Sequence, residues 1–205
     1  MKNSQFVVCS ALIAAATLSA PFSFAQDKAD APKMDPQMAA AWERAAKAGT
    51  PGAPHKALEP LVGEWTCEVK TWMSPEAPPM ESKGTSKTTW ILNGRFVHEE
   101  FSGDMGGQAF KGMGMYGYDN TKQKYVITWV DDMTTAIFTA EGVAQDGGKS
   151  FAFMGKMYCA PTDEHDRPVM HVIRIISNDK HVMEMGDPRL GDKGKMMEIT
   201  YTRKK

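Results

Sequence analysis

The chain has 205 residues, a formal net charge of −1 and 42% hydrophobic residues. This near-neutral balance provides no basic surface that would attract nucleic acid or anionic lipid. The length suits one domain with a sizeable core, preceded by an N-terminal extension.

Residues 1–25 have the features of a secretory signal peptide. Lys2 precedes an apolar run from Phe6 to Ala20, and Ser23-Phe24-Ala25 places small residues at the positions that a signal peptidase recognises. We therefore expect cleavage after Ala25 and a periplasmic or secreted protein. No second apolar stretch approaches the length of a spanning helix, so we expect no membrane span after cleavage.

Residues 26–54 are expected to form a flexible leader with one short helix and a linker. Asp35-Pro36 combines a helix N-cap with proline at the first helical position, and the alanine-rich segment Gln37 to Ala48 follows. Gly49 is placed to end this helix. We expect its apolar face, with Met38 and Trp42, to pack on the outside or across a mouth of the main domain, residues 55–205.

The sequence of the main domain predicts about ten short strands joined by tight turns. Trp65, Cys67 and Val69 alternate with polar residues, which is the period of a half-buried strand, and Asn93-Gly94 is typical of a hairpin. After this first strand, the others are predicted at Glu81–Leu92, Arg95–Phe101, Phe110–Tyr118, Lys124–Asp131, Thr134–Gly142, Ser150–Cys159, Val169–Ser177, Lys180–Met185 and Lys195–Arg203. Because no crossover helix separates the strands, we predict an all-β, up-and-down antiparallel barrel.

Three residues predict how one end of this barrel is closed. Gly63 and Trp65 open the first strand, and Arg203 ends the last one. In lipocalin-like barrels a tryptophan and an arginine at these positions form a structural latch. We therefore expect the Arg203 guanidinium to stack on the indole of Trp65. We also expect Arg203 to donate to carbonyl groups of the turn before Gly63.

From His55 onward the chain resembles an uncharacterised secreted family called domain of unknown function 1579. The matching segments are Leu61-Val62-Gly63-Glu64-Trp65, Leu92-Asn93-Gly94-Arg95-Phe96-Val97, Phe110-Lys111-Gly112-Met113-Gly114, Gly117-Tyr118-Asp119-Asn120, Trp129-Val130-Asp131 and Tyr201-Thr202-Arg203-Lys204. The resemblance implies a relative of the calycin barrels, which include lipocalins, fatty-acid-binding proteins and nitrobindins. It implies no substrate or reaction. Nitrobindin-type barrels hold haem through a histidine near the C-terminus, and His181, the last histidine here, lies too early to match.

Six residues are expected to face the barrel interior and contact a ligand: Trp129, Asp131, Phe153, Met157, His171 and Ile173. His171 alternates with Ile173, which makes it the best polar candidate inside, and a hydrogen-bonded core histidine is the alternative. For Asp131 we favour a structural carboxylate paired with Arg95 or Arg174. A general base for hydrolysis is the second interpretation of Asp131.

The sulfur-containing residues leave two questions open. The chain has 16 methionines, whose thioethers can bind Cu(I), but no short methionine–histidine repeat and no histidine pair at metal spacing occurs. We therefore predict a soft apolar lining, no metal site and no cofactor. Cys67 and Cys159 both point inward by strand phase, so a disulfide and two separate buried thiols are both open.

The predicted function is binding or carrying a small hydrophobic molecule in the barrel cavity. A structural or protein-interaction barrel with a filled core is the first alternative. A hydrolase-like, haem-binding or metal-binding barrel using an interior histidine or aspartate is the second. No catalytic residue is predicted, because the sequence contains no G-x-S-x-G, no H-E-x-x-H and no Gly-rich phosphate loop. The sequence does not indicate an oligomeric state.

Overall fold

The computed structural model describes residues 35–205, except for the side chain of Pro161. The predicted signal peptide and the first part of the leader lie outside the described residues, so cleavage and export stay predictions from the sequence. Within residues 35–205, every helix is too short or too polar to span a bilayer.

The predicted leader helix is confirmed. Helix α1 (Pro36–Gly49) begins after Asp35, whose carboxylate accepts a hydrogen bond of 2.7 Å from the Gln37 amide. A short second helix, α2 (Ala53–Lys56), and a 3₁₀ turn (Glu59–Leu61) follow.

The predicted barrel is also confirmed, with ten antiparallel strands in closed up-and-down order. Each strand pairs with its neighbours in sequence, and the first strand pairs with the last. The strands are β1 (Gly63–Thr71), β2 (Met80–Ile91), β3 (Phe96–Met105), β4 (Gln108–Asp119), β5 (Lys124–Asp131), β6 (Phe138–Gln145), β7 (Ser150–Cys159), β8 (Glu164–Ser177), β9 (Lys180–Gly186) and β10 (Lys195–Arg203).

The predicted strands differ most at the start of β8, which begins at Glu164 instead of Val169, and at the start of β6. We predicted that β6 begins at Thr134, but pairing begins at Phe138. The reason is local: the Asp131 carboxylate accepts hydrogen bonds of 3.1 Å from the amides of Met133 and Thr134. These bonds fold the connection into a side-chain-stabilised turn, which competes with strand pairing.

The segment before β1 covers one end of the barrel, which we call the closed end. Leu58 and Leu61 are buried against the core, and the Tyr125 hydroxyl donates a 3.0 Å hydrogen bond to the Pro54 carbonyl. The opposite end, where β1, β3, β5, β7 and β9 finish, is called the open end. The buried core fills the space between these two ends.

Helix α1 does not pack as predicted. Met38 and Trp42 on its apolar face are 54% and 61% exposed, and none of its residues is buried. The helix is fixed to the barrel near its C-terminal end, where the Asn120 side chain donates 2.9 Å hydrogen bonds to the carbonyls of Ala48 and Thr50. Asn120 lies in the β4–β5 turn, so α1 sits at the closed end.

Candidate functional site

The three predicted latch residues lie together at the closed end. The Arg203 guanidinium carbon is 4.2 Å from the centre of the Trp65 ring, and Arg203 Nη1 donates a 2.8 Å hydrogen bond to the Val62 carbonyl. Trp65 is fully buried, and its indole N–H donates to the Leu61 carbonyl at 3.1 Å. The stacking contact and these hydrogen bonds hold the closed end of the barrel together.

Gly63 is required by this arrangement for two reasons. A Cβ atom at this position would lie 2.0 Å from Arg203 Nη1. The backbone also has a φ of +148°, which side chains of L-residues rarely permit. No larger residue fits at position 63 while Arg203 keeps its place over Trp65.

A buried polar cluster lies just above the latch, and the sequence analysis did not single it out as a site. The Glu99 carboxylate accepts hydrogen bonds from the Ser86 hydroxyl at 2.8 Å and the Tyr116 hydroxyl at 2.6 Å. His181 stacks on Tyr201 with 4.2 Å between ring centres. We call Ser86, Thr88, Glu99, Tyr116, His181 and Tyr201 the interior polar cluster.

The low dielectric of the core changes the acid–base behaviour of this cluster. Burial, together with the nearby Glu99 charge, raises the pKa values of Tyr116 and Tyr201 far above the usual range for tyrosine. Burial also raises the pKa of the Cys67 thiol to about 12. For His181, burial and then the Arg203 charge lower the pKa to about 3, so its imidazole is neutral.

The interior cavity beside this cluster is small. It has a volume of about 10 Å³ and is lined by Leu61, Thr88, Glu99, Tyr116, Ile173, His181, Met183 and Tyr201. A space of this size holds about one water molecule. An organic ligand therefore does not fit in this space as the side chains stand, and the geometry beside the cluster favours an interior filled by side chains.

Aromatic rings fill the open half of the barrel by lying over glycines. A Cβ atom on Gly112 would be 2.2 Å from the Trp129 ring, and a Cβ atom on Gly155 would be 2.8 Å from the Phe138 ring. Phe101 covers Gly84 in the same way, at 2.5 Å. The missing side chains on one strand thus provide the space that a ring from a neighbouring strand occupies.

At the open end itself, apolar side chains remain partly exposed. We call the half-buried residues Phe110, Trp129, Phe138, Met157, Met185 and Met197 the mouth. Phe110 contacts Phe101 edge to face at 5.9 Å between ring centres. Asp131 lies at the edge of the mouth and accepts a 3.1 Å hydrogen bond from the Trp129 indole N–H.

The structural interpretation of Asp131 thus fits its contacts, but the arginine partners that we predicted for it are wrong. Its oxygens accept from Trp129 and from backbone amides of the β5–β6 connection. Arg174 instead pairs with Glu184, and Arg95 donates to the Leu92 carbonyl. The carboxylate therefore positions the Trp129 indole and the adjacent turn.

The other predicted interior residues lie deeper than the mouth. Phe153 and Ile173 are almost fully buried, and His171 contacts Phe153 edge to face with 6.0 Å between ring centres. Neither ring nitrogen of His171 has a hydrogen-bond partner among the described residues. Burial lowers the pKa of His171 to about 4, which keeps the ring neutral.

The two cysteines are separate free thiols, so the disulfide that we left open is absent from this structure. Cys67 faces the interior on β1, whereas Cys159 lies at the end of β7, on the rim of the open end. Hydrogen bonds from Thr162 and Arg167 lower the pKa of Cys159. β8, β9 and β10 separate the two strands around the barrel, so the thiols lie on different parts of its wall.

A charged network holds the rim near Cys159. Asp187 is almost completely buried and accepts hydrogen bonds from Arg167 Nε at 2.9 Å and Arg189 Nη2 at 2.6 Å. Arg189 also donates to Glu164 at 2.6 Å. These hydrogen bonds keep the pKa of Asp187 well below its usual range. With two cations and two carboxylates, the network has no free charge to attract a charged ligand.

A separate groove of about 220 Å³ lies on the outer surface of the closed end. It is lined by Pro51, Gly52, His55, Lys56, Glu59, Trp90 and Gly94. The Trp90 indole N–H donates a 2.6 Å hydrogen bond to the Glu59 carboxylate. Elsewhere in residues 35–205, no group of three or more His, Cys, Asp and Glu side chains is arranged to hold a metal ion.

The chain is similar to two solved structures. The chain superposes on Rv2717c from M. tuberculosis with a TM-score of 0.52 and 13% identity, over 76% of this chain and 100% of that chain. The S-type phycobiliprotein lyase CPES from Guillardia theta gives a TM-score of 0.49 and 14% identity, over 73% of this chain and 92% of that one. At such low identity the similarity concerns the fold alone.

The sequence comparisons identify the family. No curated protein sequence matches this chain. A family model described as "Protein of unknown function (DUF1579)" matches residues 50–203, which include the whole barrel and the segment that covers its closed end. The chain therefore belongs to the DUF1579 family of proteins of unknown function.

Proposed function

We propose that this protein binds a small apolar molecule at the open end of its barrel. The observation that carries the proposal is the mouth, where aromatic and methionine side chains stay partly exposed. The closed end, in contrast, is covered by Leu58 and Leu61 and latched by Arg203. A group of apolar side chains left partly in water at one end of a fold is typical of a binding surface.

The glycines beneath the mouth make this surface adaptable. The Trp129 ring lies directly over Gly112 and Gly114, so a modest movement of the ring uncovers flat backbone that a ligand ring can contact. The methionines of the mouth add side chains that fit irregular apolar shapes. The proposed ligand site therefore lies within the mouth and does not extend through the barrel.

The size of the mouth limits the expected affinity. Burying about 150 Å² of ligand surface at roughly 25 cal/mol per Å² stabilises the complex by about 4 kcal/mol, before ordering costs. Such a contact corresponds to a dissociation constant near the millimolar range. Binding of a flat aromatic probe should therefore be measurable and weak.

Fluorescence of the dye 1-anilinonaphthalene-8-sulfonate tests this proposal. We expect energy transfer from tryptophan to the bound dye, and we expect Trp129→Phe to reduce the transfer far more than the matched variant Trp90→Phe. Phe138→Asp should weaken dye binding about tenfold or more, because it places a charge in the apolar mouth. Circular dichroism shows whether each variant keeps its fold.

Two results would contradict the proposal. If Trp90→Phe removes the transfer and Trp129→Phe does not, the dye occupies the groove at the closed end. If the folded protein does not bind the dye, the mouth is not a ligand site. The second outcome favours the alternative of an interaction barrel with a filled core, which the 10 Å³ volume of the interior cavity already supports.

A further inference from the structure

Three potential metal ligands lie side by side on adjacent strands in the open half of the barrel. His171 on β8 is opposite Met185 on β9, and Met185 is opposite Met197 on β10. Directly opposed residues of antiparallel strands have Cβ atoms about 4.5–5.5 Å apart. One imidazole and two thioethers are thus brought together from parts of the chain that are distant in sequence.

All three side chains are on the inner face of the barrel wall. Each lies two residues from a buried residue of its own strand and so shares its face. The pairs are His171 with Ile173, Met185 with Met183, and Met197 with Ile199. Met185 and Met197 pack against the hydrophobic core and are only partly buried. The two methionines are therefore less buried than the imidazole beside them.

The imidazole of His171 lacks the partners that a buried polar group normally has. Only 9% of the residue is exposed, and neither nitrogen is hydrogen-bonded within the described part of the chain. Leaving a buried polar group unpaired is costly, and such a group calls for an explanation. Burial keeps this ring neutral, and the neutral ring is the form that offers a lone pair to a metal ion.

The donor set determines which ion suits the site. Two thioethers with one imidazole form a soft, uncharged set, whereas Mg²⁺ and Ca²⁺ prefer oxygen ligands and structural Zn²⁺ prefers thiolates and several imidazoles. Thioethers favour Cu(I). A bare ion held directly by side chains also needs little space, which agrees with the filled interior of this barrel.

We propose that His171, Met185 and Met197 form a binding site for Cu(I), reached through the open end. The proposal does not depend on binding of an apolar molecule at the mouth. It differs from the sequence prediction of no metal site, which considered only ligands close together along the chain. Here the sheet register, and not a local motif, assembles the ligands.

Anaerobic titration with Cu(I) in the presence of the competing chelator bathocuproine disulfonate tests the site. The full protein should carry a Cys159→Ala substitution, because the rim thiol can itself bind copper. We expect one equivalent of Cu(I), and we expect the double variant Met185→Leu/Met197→Leu to weaken binding about tenfold or more. Leucine conserves the volume of methionine, so the fold should persist.

The matched control is the outward-facing pair Met154 and Met170, which are also opposed across neighbouring strands and are 50% and 41% exposed. Met154→Leu/Met170→Leu should bind Cu(I) like the parent protein, and His171→Leu should not bind it. Sulfur scattering at the copper X-ray absorption edge should appear in the parent and disappear in the inward double variant.

Three results would overturn the proposal. The first is that the Cys159→Ala protein fails to compete with the chelator. The second is that the inward and outward double variants bind Cu(I) equally. The third is that the inward double variant still binds Cu(I) but no longer binds the dye, measured separately. Copper would then bind elsewhere, and the leucine substitutions would affect only the mouth.

Discussion

The closed and open ends of this barrel use similar residues but differ in how completely those residues are partnered. At the closed end, the Trp65 indole, the Arg203 guanidinium and the carbonyls of Leu61 and Val62 are all hydrogen-bonded or stacked. Toward the open end, His171 is buried without a partner, and the mouth stays partly exposed. The partnered latch residues stabilise the fold. His181 Nδ1 beside them also lacks a hydrogen-bond partner among the described residues, but its ring packs on Tyr201 and Trp65, whereas the unpaired His171 lies toward the partly exposed mouth, where a ligand can still be accommodated.

The largest expected effect contrasts two tryptophans, one at each end. Trp65→Ala should lower the free energy of unfolding by about 3–5 kcal/mol, because it empties a fully buried site and removes the stacking surface of Arg203. Trp129→Ala should cost less, because its ring is partly exposed whereas that of Trp65 is fully buried. Urea unfolding measures both values. Equal losses would show that the mouth is as integral to stability as the latch.

The second prediction concerns acid pH. The pKa of folded His171 is about 4, below its unfolded value of 6.5, so the unfolded chain takes up a proton first as the pH falls. The stability linked to neutral His171 is thus present above pH 6.5 and is lost between pH 6.5 and about 4, by on the order of 3 kcal/mol. His181 extends the loss to about pH 3.

Urea unfolding of the parent protein and His171→Leu across this pH range isolates the contribution of one imidazole. We expect the difference in stability between the two proteins to widen in favour of the leucine variant as the pH falls. Parallel pH profiles would mean that His171 finds a partner, or water, that keeps its pKa near the unfolded value.

The smallest expected effect compares two buried histidines at neutral pH. His171→Leu should raise the free energy of unfolding by about 1 kcal/mol, because it removes unpaired polar atoms from the core. His181→Leu should lower the free energy of unfolding, because it removes a ring that stacks on Tyr201 and meets Trp65 edge to face at 4.5 Å. Thermal melting without added metal checks both signs. Two changes of the same sign would contradict the proposed difference between the ends.

Most of the fold could be predicted because its signals are local. Alternation along each strand identified ten strands and assigned His171, Phe153 and Ile173 to the inner face. The latch could be predicted from Gly63, Trp65 and Arg203 because the ends of the first and last strands must meet when the barrel closes. The start of β6 was missed because the turn bonds of Asp131 compete with strand pairing there.

The candidate sites depend on information that a single strand does not contain. Glu99 shares its strand face with Val97 and Phe101, a signal that could have placed its carboxylate inside, but Tyr116 and Ser86 could be joined to it only through the register of β2, β3 and β4. The adjacency of Met185 and Met197 likewise follows from strand pairing. The interior volume depends on how rings such as Trp129 lie over glycines, which no period along the chain reports.

The pairing of β1 with β10 has a consequence for how the protein is made. The Thr66 hydroxyl bonds the Thr202 carbonyl across 136 residues, so the first strand to leave the ribosome waits for the last before its edge is covered. Until then both edges of the growing sheet are free to pair with other chains. Pairing of β10 with β1 therefore removes the last free edges of the sheet, and a chain that lacks β10 should be prone to aggregation.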